Sequence, residues 1–191
     1  VHRDIKPENL MISPNGLVKI TDFGIARERT SRLTTKLQKV GSMNYMAPEI
    51  WLGKEISKTV DFYALGVVLY ELATGVLPFD GSTITEVMDK HLEGRAVNPN
   101  VIREDIPKWL NTIIIRLIDK NPKSRPKSAE DIMDFVVHNA SDDLLNHNVA
   151  HGSIKANERE IEERFSLDKM GTKSDKRTFV LHFTASRTSN S

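Results

Sequence analysis

The chain has 191 residues, 39% hydrophobic and 28% charged, with a formal net charge of +1. That balance suits one globular domain with an appendage, and excludes a strong field drawing the chain to nucleic acid or a lipid surface. Cysteine is absent, which excludes a disulfide framework and thiolate zinc sites and fits a cytoplasmic, intracellular protein.

In chain order, residues 1–9 read V-H-R-D-I-K-P-E-N and are expected to form a loop. Leu10-Met11-Ile12 and Leu17–Thr21 flank Ser13-Pro14-Asn15-Gly16; two short apolar runs around a Pro-Asn-Gly turn predict a β-hairpin. Residues 25–46 hold Ser, Thr and basic residues without period, and are expected to form a long surface loop. Ala47–Leu52 reads as a single helical turn. Ser57–Thr74 predicts a helix capped by Ser57 and stopped by Gly75. Its apolar residues Val60, Phe62, Ala64, Leu65, Val67, Val68, Leu69 and Leu72 lie nearly all round, so it is expected at the centre of the core. Amphipathic helices are expected at Thr83–Glu93, Pro107–Ile118 and Ser128–His138, joined by linkers containing Pro78, Gly94, Pro99, Pro122 and Pro126.

Composition shifts near residue 140. Acidic and basic residues balance over 140–191, eight of each; Lys155–Lys169 reads as a charged helix and Thr178–Phe183 as a lone strand. This part is expected to be a charged linker or the start of a further domain. No apolar run approaches a membrane span, the longest being such stretches as Ala64–Leu69. No signal peptide is visible, and the first residue is Val rather than Met, so the chain is expected to be a fragment.

The chemistry concentrates in the first 22 residues. Asp4 is a loop carboxylate with a cation, Lys6, two residues on. Asn9 and Asp22 offer a side-chain carbonyl and a carboxylate from two segments joined by the hairpin, oxygen ligands of the kind magnesium prefers. Gly24 lets the backbone turn after Asp22. A carboxylate to orient a hydroxyl, a cation to offset phosphate charge and a hard-metal pair together suit phosphoryl transfer.

Further elements follow in order: T-D-F-G at 21–24, G-S-M-N-Y-M-A-P-E at 41–49, D-F-Y-A-L-G-V-V-L-Y-E-L at 61–72, G-V-L-P-F at 75–79 and N-P-K-S-R-P at 121–126. With H-R-D-I-K-P-E-N-L at the start, these make residues 1–139 resemble the C-terminal lobe of a eukaryotic-type (Hanks-type) Ser/Thr protein kinase, from its catalytic loop onward. The resemblance implies a mainly α fold with one small β-hairpin after the catalytic loop, with the N-terminal lobe and the early helices of the C-terminal lobe lying outside this chain. The stretch around 25–46 and Gly66–Phe79 resembles bacterial members.

The resemblance also implies roles. Asp4 matches the catalytic base, Lys6 the phosphate-contacting lysine typical of Ser/Thr rather than Tyr kinases, and Asn9 and Asp22 the two Mg²⁺ ligands. Met11 matches the apolar residue beneath the adenine of ATP. Ser42 stands where the family usually has Thr in the substrate-docking loop, and Glu8 matches a position that in some members contacts a basic substrate residue. His2 and Phe23 match part of the regulatory apolar stack. Glu49 and Arg125 match a buried ion pair, and Asp61 the carboxylate bracing the catalytic loop. Arg3 before Asp4 implies control by activation-loop phosphorylation, with Thr34, Thr35, Thr30 and Ser31 as candidates. His2 is read as a packing histidine rather than a base. The other five histidines, at 91, 138, 147, 151 and 182, lack metal-ligand spacing.

No G-x-G-x-x-G loop occurs in the sequence. The expectation is therefore a parent enzyme using ATP and Mg²⁺ on protein substrates, with the 191 residues alone inactive. A truncated kinase-like binding module without catalysis is the alternative, opposed by the intact Asp4, Lys6, Asn9 and Asp22. A small-molecule kinase is disfavoured by the A-P-E and docking-loop segment. Oligomeric state is not legible.

Overall fold

The computed structural model describes residues 1–13, 17–22 and 43–150, with side chains described as far as residue 140. Phe23, Gly24, Thr30, Ser31, Thr34, Thr35 and Ser42, the helix expected at 155–169 and the strand at 178–183 lie outside the described residues. The described fold is mainly helical with one two-stranded sheet.

A 3₁₀ turn at Pro7–Asn9, where a plain loop was expected, leads into β1 (Leu10–Ile12). Proline at the turn's start needs no donor and its φ is already set for a helical turn. Strand β2 (Val18–Ile20) runs antiparallel to β1 in the register Leu10↔Ile20, Met11↔Lys19, Ile12↔Val18. Ser13 closes the hairpin by donating N–H and Oγ–H to the Leu17 carbonyl, at 2.8 and 3.0 Å.

The short helix α1 (Pro48–Trp51) precedes α2 (Thr59–Thr74). Helix α2 begins two residues later than Ser57, but the Ser57 hydroxyl still accepts the Thr59 N–H at 3.3 Å. It ends at Gly75, whose φ of +78° is the left-handed conformation that glycine adopts without a Cβ penalty. Then come α3 (Ile84–Leu92), α4 (Pro99–Ile102), α5 (Lys108–Leu117), a 3₁₀ turn at Pro122–Ser124 and α6 (Ala129–Ala150). Thr83 caps α3 by accepting the Glu86 N–H, while the Glu86 carboxylate accepts the Ser82 N–H. Two elements differ from expectation. Residues 99–102, expected as linker, form a helical turn because the Asn98 side chain caps the Asn100 N–H. The helix expected to end at His138 continues to Ala150, so the shift in composition near 140 falls within it.

Helix α2 is the axis of the domain. Val60, Tyr63, Ala64, Val67, Val68 and Tyr70 are buried with Ile5, Tyr45, Ala47, Phe79 and Ile114 in one core. Its Phe62, Leu65 and Leu69 face a second core of Ile113, Leu117 and Ile132, contributed by α5 and α6. Leu72 is the exception on α2 and is 68% exposed. Gly66 permits the α2–α5 approach: a Cβ there would sit 2.6 Å from Leu117 Cβ and 2.8 Å from Ile118 Cγ2. No described helix is long and apolar enough to cross a membrane.

One buried polar pair connects α2 to α3. His91 is fully buried, shares a 2.8 Å hydrogen bond between Nδ1 and the Tyr63 hydroxyl, and lies 5.0 Å from the Phe79 ring. Burial, then the positive charge of Lys120, push its imidazole down to about 3 against a slight pull from the Asn44 backbone. The folded chain thus holds His91 neutral while the unfolded chain protonates it near its ordinary value. Stability from this site is complete above about pH 6.5 and falls as pH drops toward 3, by about 2 kcal/mol already at pH 5. His91→Asn keeps an acceptor for Tyr63 and removes the titration. Urea denaturation at pH 7 and pH 5 is expected to show a smaller acid loss for His91→Asn than for the native chain.

Candidate active site

The loop before β1 is held from below by one carboxylate. Asp61, in the first turn of α2, accepts the backbone N–H of His2 on Oδ2 and of Arg3 on Oδ1, both at 2.7 Å. Arg3 sits at φ +68°, a strained choice for a side chain with Cβ. The two charge-assisted bonds hold the loop in that turn.

His2 is buried and links the loop to the end of β2. Its Nδ1 accepts the Asp4 N–H at 3.3 Å, which leaves the proton on Nε2 to reach the Thr21 carbonyl at 2.9 Å. Both ring nitrogens are thus engaged with backbone, as the packing reading of this histidine expects.

Above this base, the polar side chains converge. Lys6 Nζ lies 3.3 Å from Asp4 Oδ2, with the two side chains only 15% and 21% exposed. Asn9 is buried and donates Nδ2 to the Asp4 carbonyl at 2.7 Å and to Asp4 Oδ2 at 3.1 Å. With the amide nitrogen so committed, Oδ1 is the atom Asn9 presents to a ligand. The Asn9 carbonyl accepts the Thr21 N–H at 2.9 Å, which ties the loop directly to the residue before Asp22. Asp22 is exposed and stands at φ +61°, a conformation that Asp tolerates better than most residues. The hairpin therefore brings Asp4, Lys6, Asn9 and Asp22 to one end of the sheet. Met11 lies 59% exposed on β1.

A second acidic group went unread in the sequence. Tyr45, just before α1, donates its hydroxyl to Glu71 Oε2 on α2 at 2.7 Å. Burial pushes the Tyr45 hydroxyl well above its ordinary range, helped by the Glu71 hydrogen bond and by the charges of Glu71 and Glu8. Tyr45 and Glu71 thus form a hydrogen-bonded pair, and the Glu8 charge acts on the same hydroxyl. Both Tyr45 and Glu71 fall inside quoted motifs, but nothing in their spacing reveals that they touch across 26 residues.

Glu49 and Arg125 are both buried and meet in a two-pronged pair, Nη1–Oε1 2.7 Å and Nη2–Oε2 3.0 Å. This pair joins α1 to the turn before α6.

Comparison with known proteins matches residues 1–138 to the protein kinase domain. The chain is 44% identical over 135 residues to a probable serine/threonine-protein kinase of Clostridium acetobutylicum, covering 70% of this chain and 20% of that protein. It is 41% identical over 133 residues to the serine/threonine-protein kinase PrkC of Bacillus subtilis, covering 69% and 20%. It is 39% identical over 135 residues to the tyrosine-protein kinase MasK of Myxococcus xanthus, covering 70% and 21%. The chain thus spans about a fifth of the length of these bacterial relatives. With a family match over 138 of its 191 residues, this chain belongs to the protein kinase domain family.

Proposed function

We propose that these residues form the catalytic-loop half of a Ser/Thr protein kinase that moves the γ-phosphoryl group of ATP to protein hydroxyls. The observation that carries this reading is the contact of Lys6 and Asn9 with the same Asp4 oxygen, with Asn9 bonded through its carbonyl to Thr21, the residue before Asp22. Asp4 orients the attacking hydroxyl and accepts its proton. Lys6 holds Asp4 in place and offers its charge to the transferred phosphate. Asn9 Oδ1 and the Asp22 carboxylate have the donor chemistry of a magnesium site, hard oxygens from two rigidly joined segments. Bound Mg²⁺–ATP supplies the phosphoryl group and neutralises its charge. Met11, open on β1, offers an apolar surface for the adenine. Consumption of ATP is consistent with a domain on the cytoplasmic side.

The hydroxyl acceptor is Ser or Thr on this reading, because Lys6 stands two residues after Asp4. The test is phosphotransfer from labelled ATP by the whole reading frame that carries these residues, followed by phosphoamino-acid identification. Phosphoserine and phosphothreonine are expected; phosphotyrosine alone, as the name of the Myxococcus relative indicates for that protein, overturns the assignment.

Glu8 and Glu71, both near Tyr45, favour substrates with a basic residue close to the acceptor. Converting both to Gln keeps a hydrogen-bond acceptor for Tyr45 while removing two charges. KM for a Lys- or Arg-bearing peptide is expected to rise about 3- to 10-fold, with kcat little changed. Equal loss on neutral peptides would exclude a charge-reading role.

A further inference from the structure

We propose that His91 is a positioning residue for acceptor binding: from α3 it anchors the backbone of Asn44, and with it the docking-loop stretch 43–46 that receives the acceptor protein. The inference rests on the phosphotransfer reading for what this stretch binds, and on packing alone for how the stretch is held.

His91 can hold a neighbour because it is itself fixed. It has no exposed surface, and its ring lies 5.7 Å from the Tyr63 ring and 5.0 Å from that of Phe79. Its Nδ1 shares a 2.8 Å hydrogen bond with the Tyr63 hydroxyl on α2. The Asn44 backbone bonds to the same imidazole and favours its protonated form, the sign of a carbonyl accepting from a ring N–H. With Nδ1 taken by Tyr63, the proton sits on Nε2, and Nε2 is the atom that meets Asn44. Among the described residues this buried nitrogen has no other hydrogen-bond partner.

Two adjacent residues of the docking stretch are therefore held from two different helices. Asn44 is held by His91 on α3, and Tyr45 donates its hydroxyl to Glu71 on α2 at 2.7 Å. Between them the chain makes a tight turn, with the Met46 N–H on the Met43 carbonyl at 3.1 Å and Met43 and Tyr45 buried. A buried donor without an acceptor is costly, so the ring and the Asn44 carbonyl keep each other in place. A shift of Asn44 carries Tyr45 with it and disturbs its bond to Glu71. The loop bearing Asp4, Lys6 and Asn9 is held by Asp61 and Thr21 instead. Loss of the His91 anchor is therefore expected to fall on acceptor binding rather than on ATP.

The experiment compares His91→Asn with His91→Gln in the whole reading frame. Both lose the imidazole. The Asn amide stands in the place of Nδ1 and reaches Tyr63 alone, whereas the longer Gln amide reaches the place of Nε2 and donates to Asn44. Amide hydrogen exchange over 43–47, read against α2, is expected to quicken about tenfold in His91→Asn and to stay within about threefold of native in His91→Gln. KM for a Lys- or Arg-bearing peptide is expected to rise about 5- to 10-fold in His91→Asn and less than about twofold in His91→Gln, with KM for ATP unmoved in both. Unchanged exchange at 43–47 in His91→Asn, a Gln variant as loose as the Asn variant, loosening that spreads equally through α2, or a KM for ATP that rises in step would each overturn the proposal. Absence of phosphotransfer by the native enzyme would instead overturn the phosphotransfer reading, and the exchange comparison alone would then decide whether His91 anchors the stretch.

Discussion

Asp4→Asn, made in the whole reading frame, is expected to lower kcat by roughly 10²- to 10⁴-fold, the usual worth of a positioned proton acceptor. The substitution is nearly isosteric. An amide oxygen in the place of Oδ2 still accepts from Asn9 Nδ2, now at 3.1 Å, and the backbone bonds of residue 4 to His2 and Asn9 do not involve the side chain. The loop should therefore keep its shape, and the thermal midpoint should move by only a few degrees. On the proposed reading, what disappears is the carboxylate that takes the hydroxyl proton, together with the negative charge 3.3 Å from Lys6 Nζ. A steady-state assay with Mg²⁺–ATP and a protein acceptor separates the outcomes. A fall in kcat at unchanged stability assigns Asp4 to the chemistry. Activity within tenfold of the native enzyme would remove Asp4 from it, and a collapse in stability would mean that Asp4 serves the fold.

Much of this site was legible because its parts are local. Asp4, Lys6 and Asn9 lie within six residues, and the Pro-Asn-Gly turn announces the hairpin that returns the chain to Asp22. The central helix was legible from its apolar residues and from Gly75, whose positive φ is a backbone requirement visible in the residue type. The unread parts are contacts between residues far apart in the chain. Tyr45 meets Glu71, Tyr63 meets His91, and Lys120 lies on Phe79. Each of these residues is ordinary in its own neighbourhood and acquires meaning only when distant segments pack: the stretch before α1 on α2, α3 on α2, and the residues after α5 on Phe79. His91 was set aside for lacking metal-ligand spacing, and it proves to be an internal hydrogen-bonding group. The four-residue turn at Pro99–Ile102 is too short to show a period, so Pro99 read as linker punctuation.

Arg125→Met is expected to cost about 3–5 kcal/mol, a large share of the roughly 5–15 kcal/mol available to a domain. The Arg125 side chain has no exposed surface, and that of Glu49 is only 6% exposed. All five guanidinium N–H groups are placed: two on Glu49, and one each on the carbonyls of Asp119, Thr59 and Lys120 at 2.7, 3.0 and 3.3 Å. Methionine fills much of the volume, so the loss is not a cavity. It is an uncompensated carboxylate at Glu49 and three carbonyls deprived of donors. A lysine in that place carries the charge, yet it has three donors in a compact head and cannot match the fork, so Arg125→Lys should also destabilise. The double variant Glu49→Leu, Arg125→Met tests the cause. Because burying two charges costs solvation that their attraction only partly returns, removing both should recover much of the stability lost by removing one. Chemical denaturation of Arg125→Met and of the double variant distinguishes the accounts: recovery in the double variant assigns the cost to the orphaned Glu49 charge, whereas a loss as large as that of Arg125→Met assigns it to the carbonyls of Thr59, Asp119 and Lys120 left without donors.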